Sequence, residues 1–116
     1  MSAPALLLAL AVLSGGRGID ASPPRTPQEA LSGTASWFAS PRGSAAAGPA
    51  LRAALGPSWR GSEVTVTAGG RSVAVTLSGW CLCRVGGSVR LIDLGRDDFA
   101  ALADPSLGLV ASEVSW

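Results

Sequence analysis

Residues 63–77 read Glu63-Val64-Thr65-Val66-Thr67-Ala68-Gly69-Gly70-Arg71-Ser72-Val73-Ala74-Val75-Thr76-Leu77, two runs of alternating apolar and polar side chains joined through a pair of glycines. Successive side chains of a strand point to opposite faces, so Val64 and Val66 share one side of the first run. Val73, Val75 and Leu77 share one side of the second. The Ala68-Gly69-Gly70 junction supplies residues that tolerate positive φ, as a tight reversal requires. The pattern predicts an antiparallel hairpin with one buried face.

Working outward, Thr34–Phe38 has strand character between Gly33 and Pro41-Arg42-Gly43, and Gly43–Gly48 reads as a loop of small residues. Pro49–Leu55 predicts a short helix, with Pro at its first position, Leu51 and Leu55 on one face, and Gly56-Pro57 ending it. Beyond the hairpin, Cys81–Ser88 forms a connection, and Val89–Leu94 predicts a strand. Arg96–Ala103 predicts a second helix, with Asp97 and Asp98 at its positive end and Phe99, Leu102 and Ala103 facing inward. Leu109–Trp116 then predicts a closing strand. The order strand, helix, hairpin, strand, helix, strand implies a mainly β chain: a small closed sheet carrying two short helices.

Composition sets the outer bounds. At 116 residues and 47% hydrophobic, the chain can bury one modest core but not two. Fifteen Gly, eight Pro and only 15% charged residues suit a turn-rich β protein. The formal charge is +1, and the nine basic residues, all Arg, are scattered singly, so no basic patch supports nucleic-acid binding. The absence of His removes a Ser-His-Asp or Cys-His nucleophile, the usual zinc sites and a histidine base. No metal or cofactor is expected.

Ala5–Leu13 is a continuous apolar run, too short to span a bilayer comfortably but suited to the core of a secretory signal peptide; a buried helix is the alternative. Residues 1–21 are therefore expected to be a signal peptide, and the protein to be secreted or held at the cell envelope with no stable transmembrane segment. No Cys follows the run, so a lipid-modified N-terminus is not indicated. The Pro-rich, polar residues 22–32 predict a flexible linker, with the folded domain over 33–116.

Four motifs carry a resemblance. Gly33-Thr34-Ala35-Ser36-Trp37-Phe38, Arg71-Ser72-Val73-Ala74-Val75-Thr76-Leu77, Arg90-Leu91-Ile92-Asp93-Leu94-Gly95-Arg96-Asp97-Asp98-Phe99 and Gly108-Leu109-Val110-Ala111-Ser112-Glu113-Val114 resemble, in order, the motifs of rare lipoprotein A-like domains from bacterial cell walls. The resemblance implies a six-stranded double-psi β-barrel related to expansin and barwin-like barrels. It also implies a partner in peptidoglycan or another wall glycan, bound by a monomer or cleaved as by a lytic transglycosylase. Two departures stand out. Ser78-Gly79-Trp80-Cys81-Leu82-Cys83 replaces the family's Asp-Arg-Gly-Pro turn with its acid, and no His takes the place of the family's histidine.

The candidate residues follow. Asp93 is the one catalytic candidate, a general acid for glycan cleavage, with a structural carboxylate bonded to loop amides as the alternative. Trp80 and Trp59 are candidate stacking platforms for sugar rings, or core filling. Arg84 joins them as a ligand-binding candidate. Cys81 and Cys83, two apart, are a disulfide or a thiol pair. An extended backbone would hold them near the upper limit for bonding, so a bridge requires a bent turn.

Overall fold

The computed structural model describes residues 29–85 and 88–116. The expected signal peptide and the first residues of the expected linker lie outside the described residues. The strands are β1 (Ala30–Phe38), β2 (Ser44–Ala47), β3 (Glu63–Ala68), β4 (Arg71–Trp80), β5 (Arg84–Val85), β6 (Ser88–Val89), β7 (Ile92–Gly95) and β8 (Leu109–Ser115). Two helices, α1 (Pro49–Leu55) and α2 (Arg96–Ala100), and a 3-10 turn (Pro105–Leu107) lie between them.

The β3–β4 hairpin is present in the register that the alternation demands, with Val64 opposite Val75 and Val66 opposite Val73. Gly69 and Gly70 make its turn at φ 57° and 80°. Val64, Val66, Val75 and Leu77 are buried, while Thr76 and Ser78 face outward.

Six strands close a barrel in the order β1-β7-β2-β4-β3-β8, and β8 returns to β1. Two neighbouring pairs run parallel, β1 with β7 and β2 with β4. The connection from β1 to β2 straddles β7, and the connection from β4 to β7 straddles β2. These two crossed connections make the double-psi barrel. Its core includes Ala35, Leu51, Val64, Val66, Val75, Leu77, Ile92, Leu94, Phe99 and Val114.

Four elements differ from the sequence expectation. Ser44–Ala47, read as loop, is strand β2. Its alanines are buried between β4 and β7, where neighbours on both sides supply the hydrogen bonds and a larger side chain is not needed. Strand β1 begins at Ala30, inside the expected linker, because Ala30, Leu31 and Ser32 pair with Ser115, Val114 and Glu113. The expected strand Val89–Leu94 is broken at Arg90 and Leu91, and the expected second helix is helical only through Ala100.

Tight contacts fix how these parts meet. Gly48 caps α1 and donates its N–H to Leu91 O at 2.9 Å. A Cβ there would stand 2.3 Å from Arg90 O. Asp98, at the start of α2, is buried and accepts the Gly43 N–H at 2.7 Å, fastening the β1–β2 turn.

Candidate functional site

Asp93 sits in β7 with Ile92 and Leu94 on either side, both fully buried. Alternation turns Asp93 to the other face, where it is only partly buried. Its row across the sheet runs Ser36 (β1), Asp93 (β7), Ala46 (β2) and Gly79 (β4), all small except the acid. Its two direct neighbours in the row, Ser36 and Ala46, are buried, while Asp93 itself keeps partial exposure.

Ser36 is 98% buried despite its outward register. Its hydroxyl donates to Asp93 Oδ1 at 2.8 Å and accepts from Arg90 Nη1 at 3.0 Å. Arg90 in turn donates its backbone N–H to Cys83 O at 2.6 Å and its Nε–H to the same oxygen at 3.2 Å. Asp93 is thus held through a hydroxyl by a guanidinium, and among the described residues its Oδ2 receives no hydrogen bond. One oxygen is fixed on a partly exposed side chain, and a carboxylate oxygen can accept a hydrogen bond from a ligand hydroxyl.

Trp80 ends β4, opposite Ala47, and is 57% exposed. It follows Gly79 directly, so it lies two strands and one residue from Asp93, on the order of 10 Å at ordinary strand spacing. The register of β2 on β4 shifts between Ala45 and Ala46, a bulge of the kind that re-aims a strand end. Arg52 of α1 stands over the Trp80 ring at 5.4 Å from its centroid. The same Arg52 donates from Nη1 to Ala47 O at 2.7 Å and to Cys81 O at 3.0 Å.

Cys81 and Cys83 are joined by a disulfide, with their Cα atoms 4.9 Å apart. Cys83 itself has φ 54°, in the left-handed region that non-glycine residues rarely occupy. Between them Leu82 is exposed. The bridged residues therefore present two carbonyls, Cys81 O to Arg52 and Cys83 O to Arg90.

The structure brings together Asp93, Trp80, Cys81 and Cys83 through Arg52, Arg90 and Ser36, three residues the sequence reading did not single out. Arg84 is exposed on β5, opposite Val89, on the short hairpin that follows the disulfide. Trp59 is partly buried against the core, and Arg60 stands 4.6 Å from its ring centroid while bonding to Ser78 O. Trp37 belongs to the scaffold, donating its indole N–H to Pro105 O at 2.8 Å. Ser36 was legible only as a polar residue inside a strand motif. Its partners lie 54 and 57 residues away, beyond any local pattern.

Asp104, away from the cleft, accepts the Ser106 N–H at 2.9 Å at the start of the 3-10 turn. That backbone hydrogen bond, with help from the Ser106 side chain, holds its carboxyl below the ordinary value. Among the described residues, no group of acids and cysteines could hold a metal ion, and no helix is long and apolar enough to cross a membrane.

No family model matches the sequence, and neither does any curated protein. Solved structures do share the fold. A point mutant of the Clavibacter michiganensis expansin in complex with cellohexaose superposes with a TM-score of 0.58 at 16% identity, over 74% of this chain and 49% of that one. The same expansin without ligand gives 0.58 at 18%, again over 74% and 49%. A Streptomyces papain inhibitor gives 0.56 at 20%, over 74% of this chain and 92% of that one. The chain spans about half the length of the expansin chains. By topology and by these likenesses, its fold is the double-psi β-barrel that expansins also carry.

Proposed function

We propose that this chain is an exported, cell-wall-associated protein that binds peptidoglycan or another wall polysaccharide across the cleft between Trp80 and Asp93. One observation carries the reading. An exposed indole, backed by Arg52, is linked through the Cys81–Cys83 bridge and Arg90 to a partly exposed carboxylate that Ser36 holds in place. Apolar sugar faces stack on such rings, and sugar hydroxyls bond to fixed carboxylates and guanidinium groups. The expansin of the same fold was crystallised with cellohexaose, which supports a glycan as the ligand class.

A second reading makes the protein a lytic transglycosylase-like enzyme with Asp93 as lone general acid. It is favoured by the partial exposure of Asp93. Asp93 would protonate the glycosidic oxygen of the departing sugar, and a hydroxyl of the sugar that bears the scissile anomeric carbon would close onto that carbon and give its proton to the Asp93 carboxylate, so no second carboxylate is required.

Cosedimentation with insoluble peptidoglycan and with cellulose separates the two. Binding predicts that wild type pellets with one of these polymers, that Trp80→Ala does not, and that no anhydro-sugar products appear. Release of anhydro-muropeptides by wild type but not by Asp93→Asn establishes the enzyme instead. Equal pelleting of wild type and Trp80→Ala removes the cleft from either reading.

A further inference from the structure

We propose that the Cys81–Cys83 bridge is a site of thiol–disulfide exchange with a dithiol reductant, and that opening it releases the two arginines bonded to its carbonyls, Arg52 over the Trp80 ring and Arg90 on Ser36. The proposal concerns the cleft's own geometry and stands or falls whether or not a glycan binds there.

Three observations carry it. The bridge closes over a single residue, Leu82, so it constrains almost none of the unfolded chain and has little to contribute as a staple of the barrel. It imposes a left-handed backbone on Cys83, φ 54°, which a reduced chain is free to relax. Its two residues supply the carbonyls that anchor Arg52 and Arg90. Cys81 O takes the Arg52 guanidinium that backs Trp80, and Cys83 O takes both Arg90 N and Nε, from which the bonds run on to Ser36 and Asp93. A bond with little role in holding the barrel is thus placed where it governs the cleft.

The direction of attack follows from burial. Cys83 is 98% buried, whereas Cys81 is partly exposed, so Cys81 Sγ is the sulfur that a reductant reaches. One thiolate of the dithiol attacks Cys81 Sγ, the Cys81–Cys83 bond breaks, and Cys83 leaves as a thiolate that takes up a proton. The second thiol of the reagent then attacks its own mixed disulfide and expels Cys81 as a thiolate, which is protonated in turn. Two electrons pass to the protein, and the reagent ends as its disulfide.

The test uses the full chain, dithiothreitol as the dithiol, iodoacetamide trapping read by mass, and the arginine and indole N–H resonances read by NMR. The expected result is reduction at least tenfold faster than global unfolding in the same buffer. The Arg52 and Arg90 Nε–H and Trp80 Nε1–H signals should shift while the barrel amides of Val66 and Leu77 stay in place. A variant carrying both Cys81→Ser and Cys83→Ser should show the shifted spectrum from the start and ignore dithiothreitol. Reduction that waits for unfolding overturns the proposal by making the bridge a structural staple. Prompt reduction with unmoved Arg52, Arg90 and Trp80 signals overturns it by making the bridge irrelevant to the cleft; both results are read on wild type alone, even if the double variant does not fold.

Discussion

Replacing Gly48 by Ala tests whether the junction of β2, α1 and the Arg90–Leu91 segment is as tight as the structure requires. Gly48 has φ −74° and ψ 172°, which alanine adopts without strain, so any cost is steric. The added Cβ would stand 2.3 Å from Arg90 O and 2.8 Å from Leu91 O, both main-chain atoms that cannot swing aside. Reaching ordinary contact at 3.4 Å requires 3.4 − 2.3 = 1.1 Å of separation. The same movement stretches the 2.9 Å bond from Gly48 N to Leu91 O beyond hydrogen-bonding range. Overpacking of this kind costs about 1–3 kcal/mol. The lost bond adds about 0.5–1.5 kcal/mol, and the stiffer unfolded chain returns about 0.4–1 kcal/mol. A net loss of about 2 kcal/mol lowers the melting temperature of a domain this size by roughly 10–15 °C. Gly79→Ala is the control, because its Cβ meets only Ala46 Cβ at 3.8 Å, and it should melt within a few degrees of wild type. Thermal unfolding followed by circular dichroism reads both. A Gly48→Ala protein that melts with wild type, or a Gly79→Ala protein that falls as far, refutes the reasoning.

Ser36→Ala leaves Arg90 and Asp93 without the hydroxyl that links them, and hydrogen bonds to charged groups are worth about 1.5–3 kcal/mol; urea unfolding should show a loss in that range, and a change below about 0.5 kcal/mol would mean the link is idle. Asp98→Ala strips the Gly43 N–H of its buried acceptor and should destabilise by about 1–3 kcal/mol, whereas Asp97→Ala, whose contact to Arg42 is exposed at 3.6 Å, should change stability by under about 0.5 kcal/mol. Asp104 carries a pH signature: its folded pKa lies below the ordinary 3.8, so its contribution is present above that value and fades as the pH falls through the folded pKa. The stability gap between wild type and Asp104→Asn should therefore narrow below pH 3.8, and a gap that is constant or widens on acidification contradicts the assigned bond.

The parts of the fold that could be read from the sequence are those whose burial writes a local period. The β3–β4 hairpin is legible because each of its strands has one face in the core and one in water, and the helix at Pro49 because its start and stop residues are explicit. Strand β2 is illegible for the opposite reason: Ser44-Ala45-Ala46-Ala47 is central and covered, so it shows neither alternation nor β-branched side chains, and only its neighbours make it a strand. The start of β1 was hidden because polar, proline-rich composition spoke for a linker, while seven pairings with β8 decide the matter in three dimensions. In the cleft, Asp93, Trp80 and the two cysteines stood out as residue types capable of chemistry. Arg52, Arg90 and Ser36 did not, since their roles depend on carbonyls and hydroxyls brought together from distant parts of the chain. Asp98, which reads locally as a helix-end charge, likewise serves a turn 55 residues away.

The central claim is that glycan binds in the cleft between Trp80 and Asp93, and an NMR titration with soluble peptidoglycan fragments and with cellohexaose tests it most directly. The account predicts saturable shifts at the Trp80 indole, the Arg52 and Arg90 side chains and the amides of Gly79 and Asp93, with the hairpin turn at Gly69 and Gly70 unmoved, and their loss in Trp80→Ala. Shifts centred elsewhere on the barrel, or none with either glycan at millimolar concentration, would contradict it.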